Sequence, residues 1–163
     1  MTNDPQPTTH VPLRHTLASL AYRGGKTLRE APADFANFRA NETSRTPLEI
    51  LTHIGDLIEW ALSICEGRHD WKPVAPKSWD EQVTRFFTVL KKFDQRLASD
   101  QPLGNPPEKL FQGPIADAFT HVGQIAMLRR MAGSPVKAEN YFKADIAVGH
   151  VGAEQSKPRV EFD

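Results

Sequence analysis

From Pro12 onward the chain alternates polar stretches with apolar runs of helical period, and four such runs can be followed. Leu13, Leu17 and Leu20 recur at helical spacing and predict a first helix from Pro12 to about Arg29. Gly24 and Gly25 either weaken it or admit another backbone at close range. Over 31–45 the period is lost: Pro32, Asn37, Asn41 and Ser44 suit a connection, with Phe35 and Phe38 as its apolar anchors. Thr46, Pro47, Leu48 and Glu49 then read as a helix start. Thr46 caps, Pro47 has no amide to leave unpaired, and Glu49 reaches back to complete a capping box. To about Glu66 the apolar face comprises Ile50, Leu51, Ile54, Leu57, Ile58, Ala61, Leu62 and Cys65, with Glu49, Asp56, Glu59 and Ser63 opposite. Ser78 to Glu81 repeats the start signal, and Trp79, Val83, Phe86, Leu90, Phe93 and Leu97 follow in steps of four and three, a seam suited to a bundle interior.

Prolines 102, 106 and 107 and Gly104 interrupt the pattern, leaving room for one turn of helix at Glu108 to Phe111. A last helix is predicted to start at Gly113 and Pro114 and to stop at Gly133, with Pro135 barring continuation. The expected fold is all-α: a four-helix bundle over residues 12–135, a flexible arm over 1–11, and an extended tail over 136–163. Tyr141, Phe142, Ile146 and Val148 would strap that tail across the bundle. At 163 residues the chain suits one domain with one core.

Charge narrows the function classes. Twenty basic residues balance twenty acidic ones, which removes the basic footprint of a protein that grips phosphates, so no nucleic-acid partner is expected. No stretch approaches a membrane span, and the lone cysteine, Cys65, can form no internal bridge; both point to a cytoplasmic protein without a membrane partner. Cys65 shares the apolar face and reads as a small core residue.

Polar side chains at apolar positions carry the candidate chemistry. His53 falls between Trp60 and Ile64 on the helical wheel, at the margin of the buried face. Asp117, His121, Gln124 and Leu128 follow in steps of four, three and four, so a carboxylate and an imidazole share a stripe with a leucine. Residues four apart on a helix can bind one ion together, and a neighbouring helix can supply a third donor, for which His53 is the natural candidate. The plainer reading is a hydrogen-bonded triad without an ion. Gln124 is placed to orient a ligand or to meet a substrate. Arg129 and Arg130 would complement the C-terminal end of their own helix, Asp56 and Glu59 would be solvated, and His15, His69 and His150 sit on polar or irregular segments.

The runs LEILTHIGDLIEWAL around His53 and GPIADAFTHVGQIAMLRRMAGSPV around His121 resemble the second and fourth helices of the DinB-like family. The resemblance implies a four-helix bundle of unusual helix order. It also implies a divalent metal held by one histidine of the second helix and a His-x-x-x-His pair of the last. His53 and His121 match two of those positions; Asp117 stands where the pattern has a histidine and makes the site more anionic. Two imidazoles and a carboxylate suit Zn²⁺ or Ni²⁺ first and Fe²⁺ next, and three protein donors leave coordination positions open. Relatives imply a metal-dependent enzyme in which the ion activates a low-molecular-weight thiol for transfer, or a water for hydrolysis, with a small-molecule substrate. The alternative is a non-catalytic bundle whose ion or triad fixes helix register. Exposed bundle faces leave room for a homodimer.

Overall fold

A computed structural model describes residues 10–162; most of the expected arm therefore lies outside the described residues. The chain is mostly helical. Four long helices, α1 (Val11–Leu28), α2 (Pro47–Cys65), α3 (Trp79–Ala98) and α5 (Ala116–Met131), are joined by a short α4 (Pro107–Leu110) and two 3-10 turns, Phe35–Asn37 and Tyr141–Lys143. Two strands of two residues, β1 (Ala138–Glu139) and β2 (Glu161–Phe162), pair antiparallel in the tail and are a small departure from an all-α fold. Both capping boxes form: the Thr46 and Ser78 hydroxyls accept from the amides of Glu49 and Glu81, whose carboxylates accept in return from the two cap amides.

Side-chain pairings fix the helix directions. Arg14, near the start of α1, forms a two-pronged ion pair with Asp94 near the end of α3, so these helices are antiparallel. Arg85 and Arg96 of α3 donate to the carbonyls of Thr52 and Cys65 on α2, so α2 and α3 run the same way. The Arg129 guanidinium at the end of α5 donates to the carbonyls of Thr27 and Arg29 at the end of α1, which makes those two parallel. Each of α1 and α2 packs on both α3 and α5, leaving α1 diagonal to α2. This up, down, down, up order needs one lengthwise crossover, between the parallel α2 and α3, while the diagonal α1 and α2 are joined across one end. Residues 29–46 cross one end of the bundle, plugged by the buried Phe35 ring beneath Trp79 and Arg129. Residues 66–78 must climb back along the whole of α2, and the Val74 amide donates to Asp56 on the way.

One core of aliphatic and aromatic side chains runs through all four long helices, including the expected α3 seam, in which Phe86, Leu90, Phe93 and Leu97 are fully buried. Gly24 of α1 serves a close approach, but of a ring rather than a backbone: a Cβ there would lie 2.6 Å from the Phe86 Cζ. Cys65 is core, as its wheel position implied, and desolvation pushes its thiol pKa up to about 11.

The last helix departs from expectation at its start. It begins at Pro107, runs through α4, and continues into α5 by way of a π-helical turn over Phe111–Ile115 that contains Pro114. Proline has no amide to donate, and in an α-helix its ring meets the carbonyl four residues back; the wider π turn accommodates both. Pro114 is therefore inside a helix rather than at its beginning. The tail does cross the bundle, but on only two of the four residues expected, Ile146 and Tyr141, whose ring meets Tyr22 edge to face, while Val148 is exposed. Val151 is buried and Ile146 packs on the core, whereas Phe142 is 95% exposed. The main tether is polar: buried Glu139 accepts from the Tyr22 hydroxyl and, at 2.7 Å, from Lys26 Nζ, which also pairs with Glu161 at 2.9 Å.

Candidate metal centre

α2 and α5 run antiparallel in contact and bring His53, Asp117 and His121 together. His53 Nε2 lies 3.8 Å from one Asp117 carboxylate oxygen, His121 Nε2 lies 3.4 Å from the other, and all three donor atoms fall within 4.8 Å of one another. The imidazoles meet edge to face with centroids 4.8 Å apart. Donors around a tetrahedral zinc ion stand about 3.3 Å apart for bonds of about 2.0–2.1 Å, so small side-chain rotations bring this set onto one ion.

The cluster sits on the rim of the bundle, not in its interior as the sequence pattern suggested. Asp117 is 48% exposed at its side chain, while the two histidines are largely covered. The helical wheel explains the difference. The stripe of α5 that enters the core is Ala118, Val122, Ile125 and Arg129, one residue beyond Asp117, His121 and Gln124, and of the expected stripe only Leu128 is buried. The ligand-bearing stripe runs along the α2–α5 seam, where one side faces solvent.

Gln124 orients His121. Its Oε1, which can only accept, is 2.8 Å from His121 Nδ1, a contact in which Nδ1 donates and Nε2 is the nitrogen turned toward the cluster. Desolvation lowers the pKa of His53, the charges of His121 and Arg45 lower it further, and Asp117 and Asp56 offset part of the shift. A neutral imidazole, the form that binds metal, is thereby favoured.

Two neighbours were not singled out by the sequence pattern. Trp71, on the climbing 66–78 connection, stands edge to face against His53 at 5.6 Å and against Trp60 at 5.9 Å, forming an aromatic wall beside the cluster. Its only signal was an isolated tryptophan in a polar, proline-containing stretch, where nothing apolar was needed for a helix. Arg45 shares a groove with His121. Asp56, expected in solvent, is buried between α2 and α3, where it accepts from Arg85. Gly55 is what lets that arginine in, because its missing side chain leaves room for a guanidinium 2.7 Å from where a Cβ would be. Arg129 is buried as well and caps the end of α1 besides donating to the Ser134 carbonyl beyond its own helix, while Arg130 is exposed. His15, His69, His150 and Cys65 do not join the cluster.

No family model matches the chain, and neither does any curated protein or solved structure. Among the described residues no helix is long and apolar enough to cross a membrane.

Proposed function

We propose that the protein binds one divalent metal ion through His53, Asp117 and His121 and uses it in a metal-dependent reaction on a small molecule. The observation that carries this reading is the meeting of three donors from two helices, with His121 Nδ1 hydrogen-bonded to Gln124 and its Nε2 toward Asp117. Zn²⁺ or Ni²⁺ fits two nitrogens and one oxygen best, and Fe²⁺ is the next candidate. Three protein donors on a solvent-facing rim leave room for exchangeable ligands, the arrangement of a working site rather than a closed structural one. A dication there would lower the pKa of a coordinated thiol or water, supplying a nucleophile at neutral pH for transfer or hydrolysis. The resemblance of the His53 and His121 helices to DinB-like proteins supports the thiol branch, and the diagonal α1–α2 connection with the α2–α3 crossover gives a helix order that is not simply up and down, in keeping with it.

The residues around the ion have separable tasks. Gln124 orients His121, Trp71 and Trp60 shield the His53 side from water, and Asp117 supplies the negative charge that partly balances a dication. Elemental analysis of untagged protein, with calorimetric titration of Zn²⁺ and Ni²⁺, tests the reading. Stoichiometric binding that His53→Ala and His121→Ala abolish is expected; equal affinity in wild type and both variants rules it out. Titrating a small thiol into loaded protein then separates the branches, since saturable binding favours transfer and its absence favours hydrolysis.

A further inference from the structure

Beside His121 the surface dips into a groove of about 470 Å³ lined by Arg45, Ile50, Gln124, Met127 and Leu128, with Ser44 at its edge. Much of its lining is apolar, yet it also carries hydrogen-bond donors. Ser44 is not one of them, because its hydroxyl is committed to its own turn: it accepts from the amides of Ala40 and Asn41 and donates to the Asn41 carbonyl. Arg45 is different. It is exposed, and among the described residues its guanidinium has no ion-pair partner: Glu42, three residues before it, does not pair with it, Glu49 is engaged by Arg39, and Asp56 and Glu59 of α2 by Arg85. Gln124 spends its oxygen on His121 and keeps its amide NH₂ available. The half-exposed Met127 thioether adds an adaptable apolar wall.

We propose that this groove is the substrate-binding site, and that it takes a small organic carboxylate with an aliphatic body: the carboxylate on Arg45, the chain over Ile50, Met127 and Leu128, and the reacting end toward His121. One planar guanidinium fork matches one carboxylate, and no second cation or glycine-rich loop is present in the groove to balance a phosphate dianion. The chemistry at the reacting end rests on the metal reading above, whereas recognition by Arg45 and the apolar floor does not.

Hexanoate, hexanol and 6-mercaptohexanoate are the probes, titrated into metal-free and zinc-loaded protein while the ¹³C-methyl signal of Met127 is followed by NMR. Hexanoate should shift that signal saturably without metal and bind at least tenfold more tightly than hexanol. Arg45→Gln, a surface change whose fold is checked by circular dichroism, should remove that preference. With zinc bound, 6-mercaptohexanoate should gain a further tenfold or more over hexanoate. Equal binding of hexanoate and hexanol, or hexanoate affinity within twofold of wild type in Arg45→Gln, overturns the assignment. So does a doubled sedimentation mass with a Met127 signal blind to hexanoate, the result expected if a second copy covers this face. Zinc binding without carboxylate binding sinks this inference alone; Arg45-dependent carboxylate binding without zinc binding supports it and sinks only the metal reading.

Discussion

A single carboxamide, Gln124, is bonded to His121 Nδ1 and turns Nε2 toward the candidate metal centre, and that dependence can be measured. With its Oε1 removed, Nδ1 loses its acceptor, the ring can take either tautomer, and the donor must be paid for in orientational freedom each time an ion binds. Gln124→Leu should therefore weaken Zn²⁺ binding by about tenfold, the lower end of what outer-shell partners contribute, while leaving the melting temperature of the apo protein nearly unchanged because the residue is exposed. Competition with a chromophoric chelator reads the affinity directly; unchanged affinity would mean that His121 is oriented by packing alone. Asp117 tests charge rather than orientation. Asp117→Asn keeps the size and one oxygen donor but loses the negative charge, so affinity should fall well beyond the Gln124 effect, and the loss should shrink little with added salt because the charge sits beside the ion rather than across solvent.

At the scale of the helix, packing rather than propensity sets which substitutions matter. Gly24 lies mid-helix in α1, where alanine would ordinarily be the better helix former, yet the Phe86 ring occupies the space a methyl group would need. Gly24→Ala should accordingly destabilise the fold by about 1–3 kcal/mol, the usual cost of overpacking, measured by urea unfolding; a stabilised variant would show that the ring yields freely. Thr46→Ala, which removes the α2 cap, should cost about 1 kcal/mol. The same contrast explains what was legible in the sequence. Capping boxes and the α3 seam are local, so Thr46, Ser78 and the Phe86 to Leu97 series could be read directly. His53, Asp117 and His121 were legible because two helices each placed donor side chains near an apolar margin, but whether that margin was core or rim depended on a shift of one residue around α5, which no local pattern fixes. Asp56 could not be placed because its partner, Arg85, comes from another helix through a gap that only Gly55 provides. Pro114 looked like a helix start because proline ordinarily is one; the π turn that absorbs it leaves no mark in the polarity pattern.

For the whole molecule, the tail is held to α1 by a buried polar knot, and its pH response follows from the direction of three shifts. Desolvation pulls the Lys26 pKa down, but the hydrogen bonds and charges of Glu139 and Glu161 more than offset it, so the folded value is raised. Desolvation and the bond to Glu139 raise Tyr22, and the bond to Lys26 lowers Glu161. Lys26 and Tyr22 hold their protons more tightly in the fold, so what they contribute is complete below the unfolded values of about 10 and is lost as pH rises beyond them. Glu161 works in the opposite sense, its share fading as pH falls below about 4. The knot's contribution should therefore be flat through neutrality and decline above about pH 10, and hydrogen exchange at β1 and β2 should quicken before the helices respond, since few apolar contacts besides Val151, Ile146 and Tyr141 hold the tail. Lys26→Met alone leaves the fully buried Glu139 carboxylate without its cation and should cost about 3–5 kcal/mol, as breaking a buried pair does. Adding Glu139→Gln removes the stranded charge and still offers the Tyr22 hydroxyl an acceptor, so the double variant should recover much of that loss and show a shallower alkaline decline than wild type. An alkaline profile identical in wild type and double variant would place the base-sensitive step elsewhere in the bundle and leave the knot as a simple clamp.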